Sequence, residues 1–251
     1  MTAEPKKFYV RFSNIEDHEK LMEFYQRNPH KNVAGRHSDL MKELADNGSV
    51  TLIEDAATGE IMGASISYPI IATENGVEQQ KWLEIGTTRM VLNGYPGLFD
   101  VMITMQTLRA YLVEPPDDRF VCQMESPNVQ KLASNLGWRP YTPSKELVEI
   151  SDKTLDIDEG DTYGYDNWYS AGPEALPVMA AKMRDVLNKP YLEHVKTGEK
   201  IELDFSKSKF FALFKDEILH LADKSYGDAD KPDYTASIAK HRKNWMRWYF
   251  K

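Results

Sequence analysis

The chain has 251 residues, 41% hydrophobic and 28% charged, which is the composition of a globular protein with one large domain or a domain and an appendage. No run approaches the ~20 apolar residues that crossing a bilayer requires, and the N-terminal residues carry no apolar leader segment. The formal net charge of −8, from 39 acidic and 31 basic residues, argues against a broad nucleic-acid footprint and suits a solvated surface, or the attraction of a small cationic amine.

Residues 8–12 are aromatic and branched and predict a first strand. Ser13-Asn14-Ile15-Glu16 has capping-box spacing and precedes a helix that ends near Asn28-Pro29. A second helix covers residues 38–47, with Gly48 as its stop. Residues 50–53 and 61–66 flank a turn containing Gly59 and read as a β-hairpin. Beyond a polar loop with Asn75-Gly76, residues 82–92 form a long strand. Asn93-Gly94-Tyr95-Pro96-Gly97 interrupts it, and Leu98, Met102, Met105, Leu108 and Leu112 then recur at helical spacing until Pro115-Pro116. Residues 120–124 are a strand, Ser126 and Pro127 open a helix that Gly137 ends, and residues 147–150 predict one more strand. Residues 152–166 are acidic and poor in large aliphatics, as in a linker or surface loop. Residues 173–187, 206–222 and 234–248 then predict helices, with a short strand at Ile201, Leu203 and Phe205.

Chemistry is best sought in the strand, glycine loop and helix of residues 82–111. Backbone amides at a helix N-terminus, with glycines that let a ligand come close, make an anion site. Gly94 and Gly97 supply that loop, but no Gly-Lys-Ser/Thr follows and G-x-G-x-x-G is absent, so neither a Walker A motif nor a dinucleotide fingerprint is present.

Two stretches resemble the GNAT acyl-CoA-dependent N-acyltransferases. Gly94-Tyr95-Pro96-Gly97-Leu98-Phe99 overlays the family's Arg/Gln-x-x-Gly-x-Gly/Ala loop, and Leu136-Gly137-Trp138 stands where members close a helix on Leu-Gly-Phe. The element order fits the family over roughly 140 residues. The departures are Gly94 for Arg or Gln, Phe99 for the last small residue, Pro96 in place of an amide donor, and Ala133 where a tyrosine often serves as general acid.

The resemblance implies a twisted, mostly antiparallel mixed sheet flanked by helices over residues 1–151. An acidic linker (152–166) and a mainly helical extension (167–251) follow, and the extension is expected to shape the acceptor site. It implies acetyl-CoA or another acyl-CoA as co-substrate and the amine of a small molecule or peptide as acceptor. Cofactor contacts would come from Thr88, Arg89, Met90, Val91, Gly94, Tyr95, Gly97 and Leu98. Glu84 on the central strand would be the base, its alternative role being an exposed strand residue or a partner for Arg89. A member of the fold that has lost this chemistry and serves as a binding or structural protein is the competing reading.

The remaining signals are weaker. The six histidines show no zinc spacing. His30 and His37 flank a loop that, in the family, borders the acceptor. Asp156, Asp158 and Asp161 lack the closing glutamate of a calcium loop, so no metal is expected. Cys122, the single cysteine, excludes an intrachain disulfide, reads as a small buried hydrophobe, and points to a reducing, cytoplasmic setting. Tyr234, Ile238, His241, Trp245 and Trp248 make an aromatic stripe on a basic helix, which reads as packing against the rest of the chain rather than as a nucleic-acid or membrane contact.

Overall fold

The computed structural model describes residues 4–113, 115–155 and 162–223. Its strands are β1 (Lys6–Phe12), β2 (Val50–Asp55), β3 (Ile61–Glu74), β4 (Val77–Met90), β5 (Arg119–Gln123), β6 (Arg139–Pro140), β7 (Trp168–Ala171), β8 (Leu192–Glu193) and β9 (Lys200–Asp204). The helices are α1 (His18–Arg27), α2 (Ser38–Asp46), α3 (Leu98–Val113), α4 (Pro127–Asn135), α5 (Lys145–Asp152), α6 (Leu176–Leu187) and α7 (Lys209–Ala222). All nine strands lie in one sheet, in the order β6-β7-β5-β4-β3-β2-β1-β9-β8. Only the β4–β5 and β1–β9 pairs are parallel, so the sheet is mixed and mostly antiparallel.

Strand alternation decides which helix covers which face. Leu52, Ala64 and Ile66 pack with Leu21, Phe24, Met41 and Leu44 of α1 and α2. Ile53, on the opposite face, packs with Leu98, Met102 and Met105 of α3 and with α6 and α7. Helix α3 is buried nearly all round. Its polar residues are tied inward: Gln106 accepts from the Thr51 N–H at 2.9 Å and donates to Ser49 O at 2.9 Å, and Arg109 donates to Asn47 O at 2.8 Å. No helix among the described residues is long and apolar enough to cross a membrane.

Several elements differ from expectation for local reasons. Asn14 caps the 3-10 turn Ile15–Asp17 that leads into α1: its Oδ1 accepts from Glu16 N while Asp17 accepts from Asn14 N, and the expected capping residue, Ser13, is buried instead. The hairpin tip is Asn75-Gly76, with φ of 54° and 78°, the conformation of a type I′ turn, so β3 and β4 run to 14 residues each and absorb the expected loop. Residues 147–150 are helical, not a strand. Ser144 Oγ accepts from Leu147 N, and Leu147, Val148 and Ser151 all turn inward, a helical period in a run too short to distinguish from a strand by composition. The strand that pairs with β5 on the side away from β4 is β7, antiparallel to it. Residues expected beyond the first unit thus contribute β7, β8 and β9 to the same sheet. The aromatic stripe of residues 234–248 and the aspartates at 156, 158 and 161 lie outside the described residues.

Gly137 ends α4 at φ +93°, and a Cβ there would stand 2.8 Å from Ala175 Cβ and 3.1 Å from its Cα. Backbone strain and contact with a fixed helix entry both oppose a side chain, so Gly137→Ala should cost about 1–3 kcal/mol in a denaturant titration.

A buried charge cluster fixes the start of the chain. Arg11 holds Asp17 with two bonds of 2.7 Å and also donates to Glu54, which Lys207 reaches at 2.9 Å. Burial opposes ionisation of Asp17 and Glu54, but bonds from Arg11, Lys207 and the Asn14 amide outweigh it and hold both carboxyls below their ordinary 3.8 and 4.5. The unfolded chain therefore takes up protons before the folded one as pH falls. This contribution is complete above the ordinary carboxyl range and is lost through and below it. The melting temperature should fall as pH drops below about 4.5, and Asp17→Asn should lower it at pH 7 while making that acid decline shallower.

Candidate active site

Strands β4 and β5 are paired over only three positions, Trp82 to Glu84 against Arg119 to Val121. Beyond Glu84 the register of β4 against β3 shifts: Ala64 faces Arg89 and Ile66 faces Gly86, so Thr87 and Thr88 together oppose Ser65. This is a β-bulge. Thr87 has φ 45°, strained for a β-branched residue, and is held there by Arg36 Nε on its Oγ1 at 3.0 Å and by Tyr25 Oη on its carbonyl at 2.7 Å. Past the bulge, β4 borders a cleft of about 810 Å³ that extends to β5, α4 and the turn before β7.

Val91 donates its N–H to Met62 O, so strand alternation turns the Met90 N–H to the opposite side, into the gap. Apolar lining of the cleft comes from Phe99, Ile103, Val129, Ala133 and Trp138 of α3, α4 and the turn after α4. Polar lining comes from the α1–α2 loop, Glu84 and the residues around Tyr163.

Glu84 is 2% exposed. Arg36 Nη2 donates to its Oε1 at 2.9 Å, and Tyr163 Oη donates to the same oxygen. Oε2 is buried and has no hydrogen-bond partner among the described residues. Glu84 is thus neither an exposed strand residue nor the partner of Arg89, which donates to Asn28 O and Met90 O instead. Burial opposes the charge on Arg36, but Glu84 and Tyr163 outweigh it and keep the guanidinium protonated. Burial, reinforced by the Glu84 carboxylate, pushes the Tyr163 phenol well above its ordinary value. The same two causes push the Cys122 thiol up. Cys122 lines the cleft, yet it stays a thiol there and is a poor nucleophile.

Of the residues implied by resemblance, Glu84, Thr88, Arg89, Met90, Gly94 and Tyr95 border the cleft. Val91 packs towards α1 and α2, Leu98 is in the core, and Gly97 sits against Val186, where a Cβ would approach to 3.2 Å. The cleft face of Gly94 is shared with the β8–β9 turn: Val195 N donates to Gly94 O at 2.9 Å, and His194 lies where a side chain at 94 would go. Phe99 lines the cleft and packs against the cluster that holds Ile103 and Met124. His30 borders the cleft, whereas His37 heads α2. Sequence reasoning did not single out Arg36 or Tyr163, because neither sits in a motif.

The described residues thus form one mixed, mostly antiparallel sheet in which β4 is bulged and parts from β5. Among solved structures, the chain is similar to diaminobutyrate acetyltransferase from Paenibacillus lautus at 12% identity, with a TM-score of 0.44 over 67% of this chain and 96% of that one. It is also similar to a mosquito arylalkylamine N-acetyltransferase-like protein (14%, TM-score 0.43, 65% and 97%) and to Drosophila melanogaster polyamine N-acetyltransferase (13%, TM-score 0.41, 65% and 96%). No family model and no curated protein matches the sequence.

Proposed function

We propose that the chain transfers an acyl group from acyl-CoA, with acetyl-CoA the first donor to test, to the amine of a small molecule or peptide, in a cytoplasmic setting. The observation that carries the reading is Glu84: a buried carboxylate on the cleft wall, with one oxygen engaged and the other without a partner. In the step this supports, the acceptor nitrogen gives up a proton to Glu84, directly or through a water, and attacks the thioester carbonyl. The C–N bond forms, the C–S bond breaks, and the CoA thiolate leaves and takes a proton from solvent. The Met90 N–H, turned into the gap, is the donor available to the carbonyl oxygen as it gains charge. Thr88, Arg89 and Met90 offer backbone to the pantetheine arm, and Gly94 and Tyr95 border the start of α3, where a diphosphate would meet a helix N-terminus. Val91, Gly97 and Leu98 support that loop from behind.

Titration calorimetry with acetyl-CoA and desulfo-CoA tests the donor site. Micromolar binding is expected, weakened at least about tenfold in Pro96→Asp, which puts a carboxylate beside the diphosphate at an exposed loop position. No heat with acetyl-CoA or longer acyl-CoAs would leave the second reading, a GNAT-like binding or structural protein. Ala133 in place of a tyrosine and Phe99 on the cleft wall favour that alternative.

A further inference from the structure

We infer that Arg36 and Tyr163 are positioning residues that act through Glu84, together fixing its side chain so that Oε1 is spent on the protein and Oε2, itself buried, is the oxygen left to take a proton. The inference rests on the acyltransferase reading for its chemistry but on geometry for the clamp itself.

Arg36 is anchored on all sides before it reaches Glu84. Its Nε donates to Thr87 Oγ1 at 3.0 Å, its Nη1 to Thr154 Oγ1, and its Nη2 to Glu84 Oε1 at 2.9 Å and Tyr163 Oη at 2.6 Å. Thr154 is itself held, donating to Ser151 O at 2.8 Å, and Arg36 pairs in a β-bridge with Leu155. With its donors so occupied, the guanidinium is not open to bind a substrate carboxylate; it is a strut. Tyr163 is fixed from two further directions. Its N–H donates to Asp152 Oδ1 at 2.5 Å, and its ring lies 5.3 Å from that of Trp168, whose Nε1 donates to Gly164 O at 2.7 Å. Gly86 completes the seat, because a Cβ there would stand 2.5 Å from Glu84 Oε1. A carboxylate held by a guanidinium and a phenol on one oxygen has a single orientation, and a base needs that orientation more than it needs charge.

Tyr163 therefore brings a residue from beyond the first 151 into the chemistry. A cation at Arg36 and an anion at Glu84 also cancel, so the floor of the site attracts the acceptor by hydrogen bonding rather than by net charge.

The test is Tyr163→Phe, which removes one hydroxyl and keeps the ring against Trp168. Kinetics with acetyl-CoA and an amine panel should show kcat about tenfold to hundredfold lower, the loss of one hydrogen bond to a charged group, with KM for acetyl-CoA unchanged. In a Glu84→Gln background the same change should lower kcat no further, since the residue acts through the carboxylate. Crystal structures of the wild type and Tyr163→Phe read the clamp without any need for turnover: Glu84 should hold one rotamer in the first and several, or a different one, in the second. Wild-type kcat and an unmoved Glu84 in Tyr163→Phe would overturn the inference while leaving the acyltransferase reading intact. A Glu84 that shifts in a protein that transfers no acyl group would sustain the clamp and sink that reading. Arg36→Lys, expected to retain part of the kcat that Arg36→Met loses, separates loss of positioning from misfolding.

Discussion

Glu84→Gln should lower the turnover of acetyl-CoA with an amine by about two to four orders of magnitude, the range general-base catalysis contributes, while acetyl-CoA binding stays the same. The amide keeps the shape of the side chain but cannot take the acceptor's proton. A stability loss accompanies it, because Arg36, with its side chain 2% exposed, then carries an uncompensated charge. Removing one partner of a buried pair costs about 3–5 kcal/mol. Turnover and stability are separable in the double variant Glu84→Gln/Arg36→Met, which removes both charges. Part of the lost stability should return in a denaturant titration, and none of the lost turnover. A Glu84→Gln enzyme that works within threefold of the wild type would mean that another group, or solvent, takes the proton.

The second large effect is expected from cutting the chain after Ser151. We propose that residues 1–151 are not a folding unit on their own. The cut removes β7 from the open edge of β5, β9 from its pairing with β1, and α6 and α7 from the apolar face of α3. Phe8, Val10, Met105 and Leu108 would then lose most of what covers them, leaving a continuous apolar patch of the size that drives aggregation. The truncated chain should be insoluble or lack a cooperative melt, as read by circular dichroism and size-exclusion chromatography. A soluble, cooperatively melting fragment that still binds acetyl-CoA would make the C-terminal part a separable appendage.

The two expectations rest on different kinds of information. A glutamate on the strand before a glycine loop is visible in the sequence once the loop is matched to the GNAT pattern. The partners of that glutamate are not: Arg36 and Tyr163 stand 48 and 79 residues away along the chain, each in a loop with no motif around it. Nor is the place of Arg89 legible: strict alternation would set it, five positions on, across the strand from Glu84, and the bulge at Thr87 resets that alternation in a way composition does not encode, leaving Arg89 on Asn28 O and Met90 O.

By itself the sequence determined the order of strands and helices through β5 and α4, the glycine stops at Gly48 and Gly137, and the loop ahead of α3. Each depends on residues within a turn or two of one another, where periodicity, caps and positive-φ glycines act locally. Tertiary structure alone decided that residues 147–150 coil as α5 and that β7 takes the place beside β5. It also parted β4 from β5 to open a cleft and closed Arg36 and Tyr163 on one oxygen of Glu84. Those outcomes depend on which apolar faces and which buried charges must find partners across the sheet, and that choice is made only when the whole chain packs.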